Sequence, residues 1–361
     1  RTPKTLIYQN TFDSLTYMPW HIYHFTDMSR QIGITSTIPI EILYAAERIP
    51  VDLNNNFMTD KAPYSLIDSS EMDGFPRNSC AWIKGLYSVA VRSGISEIIA
   101  VTEGDCSQNH SLMEVLRSRG KRVIPFAYPS SRDPSLLKLE MERLMDRLGV
   151  GWAEVSRAKE RIDQIRRKVR SIDEITWRSD LVSGEDNHLF LINTTDMLGD
   201  LDRFEGEIDV VLNEISNKPH MTDQKTIRIG FIGIPPIVSD LYRFTEGLGA
   251  KVVFNEVQRQ FSMPYETDGL VEQYLIYTYP YDVMDRVNDI RTEVLRRRID
   301  GIIHYVQSFC HHQIEDMIFR KDIDTSILTL EFDRPGPLDE RSKIRIEGFI
   351  DMLKDRKGLR G

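Results

Sequence analysis

Residues 97–106 read Glu-Ile-Ile-Ala-Val-Thr-Glu-Gly-Asp-Cys, and residues 301–310 read Gly-Ile-Ile-His-Tyr-Val-Gln-Ser-Phe-Cys. Each stretch is a short apolar run that ends in polar or turn-forming residues, which predicts a buried parallel strand leading into a helix. We therefore expect Cys106 and Cys310 at the carboxyl edges of parallel sheets. Ligands of α/β proteins usually bind at that edge.

Strand-like and helix-like segments alternate around both stretches, which predicts an α/β fold with right-handed crossovers. We expect an N-terminal α/β domain over residues 1–150, a helical connector over 151–225 and a C-terminal α/β domain over 226–361. The predicted strands are Leu6–Gln9, Glu97–Thr102, Arg122–Ala127, Ile227–Ile232, Lys251–Asn255, Gly301–Val306 and Ser326–Glu331. The predicted helices are Ile40–Glu47, Cys80–Val91, Ser111–Arg119, Ser135–Leu148, Val238–Leu248, Asp282–Arg298, Cys310–Arg320 and Asp339–Leu353, with long charged helices in the connector.

The composition is that of an ordinary globular protein. Of its 361 residues, 41% are hydrophobic and 28% are charged. No apolar run reaches the roughly 18 residues that a membrane helix needs, and no secretory apolar core follows the first residues. The net charge of −9 argues against nonspecific nucleic-acid binding. We expect a cytoplasmic protein with no membrane span and no nucleic-acid partner. The sequence begins with Arg, so the question whether a short segment precedes it stays open.

The chain has three cysteines, of which the third, Cys80, opens a predicted helix. An odd number of thiols cannot all pair within one chain, so a disulfide framework is disfavoured. Zinc usually takes ligands at short spacing, and no Cys-x-x-Cys pair is present. A 4Fe-4S cluster on widely separated thiolates fits better, with one iron left free of a protein ligand. The alternative is that each thiol is a small core residue.

Histidines and acids near the thiols are further candidates. His311 and His312 follow Cys310 and are read either as donors to a ligand or as surface residues. His110 is a candidate donor near Cys106, and His304 is interpreted as a hydrogen-bonded core residue.

Acids close to an anionic centre have raised pKa values and suit proton transfer, which singles out Glu103 and Asp105. For Glu315 and Asp316 we expect capping or ion pairing instead. Thr35 and Ser36 either cap a helix or face a ligand. Neither a Gly-x-Gly-x-x-Gly nor a Walker A motif occurs, so no nucleotide site of its own is predicted.

Several blocks of the sequence together resemble the 2-hydroxyacyl-CoA dehydratase and benzoyl-CoA reductase family. The resemblance extends from about residue 30 to residue 353. The blocks are Ile38–Ala46, Cys80–Gly85, Thr102–Cys106, Gln307–Cys310, Leu328–Gly336 and Arg341–Phe349.

The resemblance implies two flavodoxin-like parallel-sheet domains joined by a helical part, with a 4Fe-4S cluster in the cleft between them. Carried over by position, Cys80, Cys106 and Cys310 would hold the cluster, and Ser36, Glu103 and His311 are the catalytic candidates. It also implies an acyl-CoA substrate, a related second subunit or a second copy of this chain, and a separate ATP-dependent iron-sulfur activator that delivers one electron.

Two functions remain open. One is a subunit that binds the acyl-CoA or relays an electron to its partner, in dehydration or in ring reduction. The other is an electron-transfer or cluster-scaffold protein of the same fold without an acyl-CoA substrate. The second is motivated by the lack of an obvious basic pocket, although Arg243, Lys251 and Arg259 are candidates to form one.

Overall fold

The computed structural model of the chain describes residues 28–216, 218 and 225–359. The predicted strand Leu6–Gln9 and residues 217 and 219–224 of the predicted connector lie outside the described residues. All structural statements below refer to the described part of the chain.

The strands form two four-stranded sheets, and every pairing in both is parallel. Their bounds are β1 Gln31–Ile34, β2 Ile49–Asp52, β3 Glu97–Glu103, β4 Arg122–Ala127, β5 Ile227–Gly233, β6 Ala250–Asn255, β7 Gly301–Gln307 and β8 Ser326–Phe332. The first sheet has the order β2-β1-β3-β4 and the second has the equivalent order β6-β5-β7-β8. The prediction of two flavodoxin-like parallel sheets is confirmed.

Fifteen α-helices connect and cover the strands. They are α1 Ile40–Ala45, α2 Leu53–Thr59, α3 Pro63–Met72, α4 Ala81–Arg92, α5 Ser107–Ser118, α6 Pro134–Leu148, α7 Trp152–Arg178, α8 Gly184–Ile192, α9 Leu201–Ser216, α10 Leu241–Gly247, α11 Glu256–Phe261, α12 Leu270–Ile276, α13 Val283–Arg297, α14 Asp316–Asp322 and α15 Glu340–Arg356. Four short 3-10 turns complete the pattern: Met28–Arg30, Asn193–Thr195, Met197–Gly199 and His311–Glu315.

Local sequence explains where several helices begin and end. The carboxylate of Asp133 accepts hydrogen bonds from the backbone at the start of α6, and Asp282 and Asp339 do the same for α13 and α15. Such caps satisfy amides that have no partner within the helix. Gly149 ends α6 with φ = 72°, a left-handed conformation that glycine adopts without strain.

The apolar core is continuous between the two sheets. One group of buried residues includes Val51 and Ile98 of the first sheet together with Ile229 and Ile303 of the second. A second group packs the other face of the first sheet against α7 and its neighbours, and a third covers the other face of the second sheet. The two sheets therefore share buried surface.

The helical part is also fixed to the first sheet by buried polar contacts. Arg166 on α7 pairs with Glu41 on α1 at 2.5 Å, and both side chains are almost fully buried. Tyr274 on α12 donates to the same carboxylate at 2.9 Å. A helix from the C-terminal part of the chain thus packs against the N-terminal sheet, and the domain boundaries at 150 and 225 stay a prediction.

The sequence patterns missed or misplaced several elements near the N-terminus. Strands β1 and β2 were not predicted, because each has four residues and they contain Gly33 and Pro50, which weaken a strand pattern. Pro50 is tolerated because β2 lies at the edge of its sheet. Helices α2 and α3 were also missed, and the predicted helix at Ser111 in fact begins at Ser107.

The shared strand order fixes where a ligand site can form. In each sheet the order reverses between two adjacent strands, β1 and β3 in the first and β5 and β7 in the second. Loops that leave a reversal point diverge to opposite faces of the sheet and open a crevice between them. Ser36 and Cys106 follow the first pair of strands, and Ile234 and Cys310 follow the second.

Candidate active site

A cavity of about 480 Å³ lies at the carboxyl ends of both sheets. Loops after β1 and β3 contribute Ser36 and Cys106, and loops after β5 and β7 contribute Ile234 and Cys310. The helical part adds His188. The cavity therefore forms only where both sheets and the helical part come together.

All three cysteines line this cavity, and each directly precedes a helical turn. Cys80 precedes α4, Cys106 precedes α5, and Cys310 precedes the 3-10 turn His311–Glu315. Cys80 is buried and the other two are half-buried. None of the three forms a disulfide.

Burial raises the pKa of all three thiols, to about 11 for Cys80 and about 12 for Cys106 and Cys310. Backbone N–H groups of the following turns donate to each sulfur and oppose this effect. The charge of another cysteine also raises each pKa: Cys106 acts on Cys80, Cys310 on Cys106 and Cys80 on Cys310. The three sulfurs are thus electrostatic neighbours, and a bound cation would be needed to hold them as thiolates at neutral pH.

These thiols are not arranged around one point. Within residues 28–216 and 225–359, no group of three or more His, Cys, Asp or Glu side chains converges as ligands to a single metal ion.

The cavity includes two of the three predicted catalytic residues. Ser36 lines it half-buried, and His311 lies exposed at its edge. Partial desolvation by the surrounding side chains, together with the charge of His312, lowers the pKa of His311 to about 4. Glu103 does not line the cavity; its exposed carboxylate accepts a hydrogen bond from the backbone N–H of Ser130 at 2.8 Å.

Asp105 is the acid of that turn that does line the cavity. Burial raises the pKa of Asp105 to about 6, although hydrogen bonds from the Cys106 backbone and from Asn109 act to lower it. Asn109 also donates to Thr35, which ties the loop after β1 to the loop after β3.

The remaining histidines and acids make structural contacts. His304 is buried and hydrogen-bonds Asp316 at 2.7 Å, so its prediction as a core histidine is confirmed. Glu315 hydrogen-bonds His312 and pairs with Arg286, which confirms ion pairing for that acid. Burial alone would raise the pKa of Glu315, but His312 and Arg286 lower it below its ordinary value. His110 is exposed and does not line the cavity.

Comparison with known proteins now adds to this geometry. A family model described as 2-hydroxyglutaryl-CoA dehydratase, D-component, matches residues 35–353. The chain belongs to this dehydratase family. The match confirms the resemblance seen in the sequence blocks, and it makes the protein a dehydratase component. No curated protein matches the chain. Across the described residues of this dehydratase component, the helices are too short or too polar to cross a membrane.

One wall of the cavity in this dehydratase component comes from residues that the sequence patterns do not predict. Asn54, Asn55 and Met58 come from α2, which was not predicted, and Glu185 and His188 come from α8. These residues could have been suspected from the rule that, in such a sheet, the helix after a strand begins at the carboxyl edge of the sheet. His188 accepts or donates a hydrogen bond with Gln258 at 3.2 Å, and burial lowers its pKa to about 3.

The three cations suggested for a basic pocket do not come together in the dehydratase component. Arg243 lines the cavity, at 3.5 Å from Glu185. Lys251 donates to the backbone carbonyl of Ser179 at 2.6 Å and is buried. Arg259 is buried against Asp289 at 3.0 Å. That part of the prediction is wrong, because two of the cations are used inside the protein.

Proposed function

We propose that the chain is the iron-sulfur subunit of a radical-type 2-hydroxyacyl-CoA dehydratase or a benzoyl-CoA-reductase-like enzyme. Cys80, Cys106 and Cys310 would hold one 4Fe-4S cluster. The observation that carries the proposal is that three thiols, drawn from both sheets, line one cavity at the reversal points of the strand order.

The donor set fits such a cluster better than it fits a single ion. Ligands to a cluster bind different iron atoms, so three cysteines from separate segments can each hold one iron. Thiolates are the usual ligands of iron-sulfur clusters. Backbone N–H groups that donate to the sulfurs tune such a site, as at Trp82 and Gln108. When bound, the cluster supplies one-electron chemistry.

The chain's own residues would bind and orient the acyl group. The hydroxyl of Ser36 offers hydrogen bonds beside the thiols, while Trp82, Leu86 and Ile234 form an apolar wall. The amide nitrogen of Asn54 is held by the Thr35 carbonyl and by Asp52. A pocket of this size with a mainly apolar surface suits a small acyl chain. Ser36 and His311 remain our catalytic candidates. Glu103 does not line the cavity, so the geometry does not support a catalytic role for it. We propose Asp105 as the acid in its place.

The absence of a nucleotide motif in the sequence agrees with a division of labour in which another protein hydrolyses ATP. We propose that a separate ATP-dependent iron-sulfur activator delivers the electron, and that the chain pairs with a related subunit or with a second copy of itself. Three free thiols are consistent with a reducing cytoplasm. The alternative, an electron-transfer or scaffold protein, would leave a cavity of about 480 Å³ beside the thiols without a substrate.

Anaerobic purification from iron-replete cells tests the proposal. We expect about four irons and four sulfides per chain, as a 4Fe-4S cluster requires. Changing Cys80, Cys106 or Cys310 to Ser should abolish this content, whereas Ser107→Ala, an exposed neighbour outside the cavity, should retain it. Iron-free wild-type protein, or iron content unaffected by all three cysteine changes, would refute the assignment.

Acyl-CoA binding separates the two candidate functions. The EPR spectrum of the reduced protein, with partner and activator present, should change when a 2-hydroxyacyl-CoA is added. A spectrum that no acyl-CoA alters would favour the electron-transfer alternative.

A further inference from the structure

One side chain contacts all three cysteine-bearing segments. Gln108 lies in the first turn of α5, two residues after Cys106, and its backbone N–H donates to the Cys106 sulfur. Its side-chain Oε1 accepts the backbone N–H of Cys80 at 2.9 Å. Its Nε2 donates to the backbone carbonyl of Phe309, the residue before Cys310, at 3.0 Å.

This bridge joins parts of the chain that are far apart in sequence. Cys80 and Gln108 belong to the segments around the first sheet, whereas Phe309 follows β7 of the second sheet, 201 residues after Gln108. The side-chain amide supplies the acceptor and the donor of this bridge from two separate atoms, Oε1 and Nε2. Glutamate lacks the donor, and asparagine is shorter by one methylene group.

The backbone at the far end of the bridge is itself unusual. Phe309 has φ = 65°, a left-handed conformation that costs energy for a residue with a bulky side chain. Its carbonyl accepts the Gln108 amide, and the backbone N–H of Cys310 closes the turn on the carbonyl of Gln307 at 3.1 Å. A residue held in an unfavourable conformation needs surrounding contacts to keep it there. Gln108 provides such a contact from the other sheet.

We propose that Gln108 is a positioning residue that sets the spacing of the three sulfurs by holding the Cys80 and Cys310 turns against the first turn of α5. This inference rests on the proposed function, because the spacing matters only if the sulfurs share one cluster. The amide needs no contact with the cluster to act in this way. Its effect passes through the backbone of the residues that it holds.

The test compares Gln108→Met and Gln108→Asn with the wild-type chain. Methionine has nearly the same length but makes neither bond, and asparagine keeps the amide without the reach. Gln313→Met is the matched control, since Gln313 is an exposed glutamine in the turn after Cys310. Loss of one such hydrogen bond changes an equilibrium constant roughly two- to tenfold.

Iron per chain, the rate of iron release to a chelator and the EPR spectrum of the reduced protein are measured for each. We expect Gln108→Met to release iron roughly tenfold faster or more, and to show a shifted EPR spectrum. Gln108→Asn should lie between it and the wild type, while Gln313→Met should match the wild type. Melting of the iron-free proteins should differ little, because Gln108 is only half-buried.

The outcomes separate this inference from the proposed function. Iron-loaded wild-type protein with an unchanged release rate and spectrum in both Gln108 variants would overturn the positioning role alone. Wild-type protein without iron would overturn both. If Gln108→Met does not fold, Gln108→Asn decides the question by the same two readouts.

Discussion

Replacing Arg286 with methionine should destabilise the protein more than any surface change to the same helix. Arg286 on α13 is 2% exposed and donates to both oxygens of Glu256, at 2.7 and 2.9 Å. Glu256 is 1% exposed and also accepts the backbone N–H of Gly233 at the end of β5. The same guanidinium pairs with Glu315, which hydrogen-bonds His312 beside the Cys310 turn.

The size of the effect follows from the charge left behind. Removing one partner of a buried ion pair typically costs about 3–5 kcal/mol, since the other charge stays buried without compensation. In Arg286→Met the Glu256 carboxylate would keep one neutral N–H donor, so we expect a loss in that range. A protein of ordinary stability has about 5–15 kcal/mol in total. The variant should therefore unfold at a clearly lower denaturant concentration.

Urea unfolding of the iron-free protein, followed by circular dichroism, measures the change. The double variant Arg286→Met with Glu256→Gln removes the uncompensated charge, and we expect it to recover most of the lost stability. Arg291→Met is the control: Arg291 is an exposed residue of the same helix, and its loss should cost less than about 1 kcal/mol. A loss below about 1 kcal/mol in Arg286→Met, or no recovery in the double variant, would refute the reasoning.

Two further predictions concern the first sheet and the cavity wall. Gly104→Ala should lower the free energy of unfolding by about 2–5 kcal/mol, because the residue has φ = +88° and an added Cβ would lie 2.7 Å from the Cβ of Tyr128. Gly120→Ala is the control: Gly120 has φ = +81° with open space around it, so its loss measures the backbone strain alone. Equal losses in the two variants would contradict the steric argument. Burial lowers the pKa of His188 from 6.5 to about 3 in the folded protein. Between these pH values the unfolded chain binds a proton at His188 that the folded chain does not, so the free energy of unfolding falls as the pH drops. His188→Gln should reduce the slope of unfolding free energy against pH by about 1.4 kcal/mol per unit between about pH 6 and pH 4, and an unchanged slope would contradict this.

The sequence was sufficient to predict the strands that contain apolar runs. Strands β3–β8 and most helices of the two α/β units were predicted close to their observed positions, because continuous Val and Ile runs between helical segments are specific to buried parallel strands. The short strands β1 and β2 could not be recognised, since their pattern includes Gly33 and Pro50. Strand β1 is held in the sheet by pairing with β3, and β2 by pairing with β1, so their place depends on tertiary pairing and not on local preference.

The candidate site was predictable only in part. Ser36, Cys106 and Cys310 follow strand ends, and topology brings such positions together. Cys80 follows α3, and its place at the cavity depends on how α4 packs. The predicted start of α5 is wrong because Ser107 and Asn109 are poor helix formers, while the side chains of Gln108 and Asn109 are held by groups outside the helix, the Cys80 backbone and the Val101 carbonyl. The wall from α8 depends on how the helical part packs, which periodicity cannot supply.

The placement of the third thiol affects the order of events during biosynthesis. Cys310 follows three strands of the second sheet and the whole helical part, so a ribosome finishes those segments before this residue emerges. The cluster proposed above, which requires all three sulfurs, could be inserted only after Cys310 has been synthesised. Chains that stop before β7 would lack the third proposed ligand, which distinguishes them chemically from chains that contain Cys310.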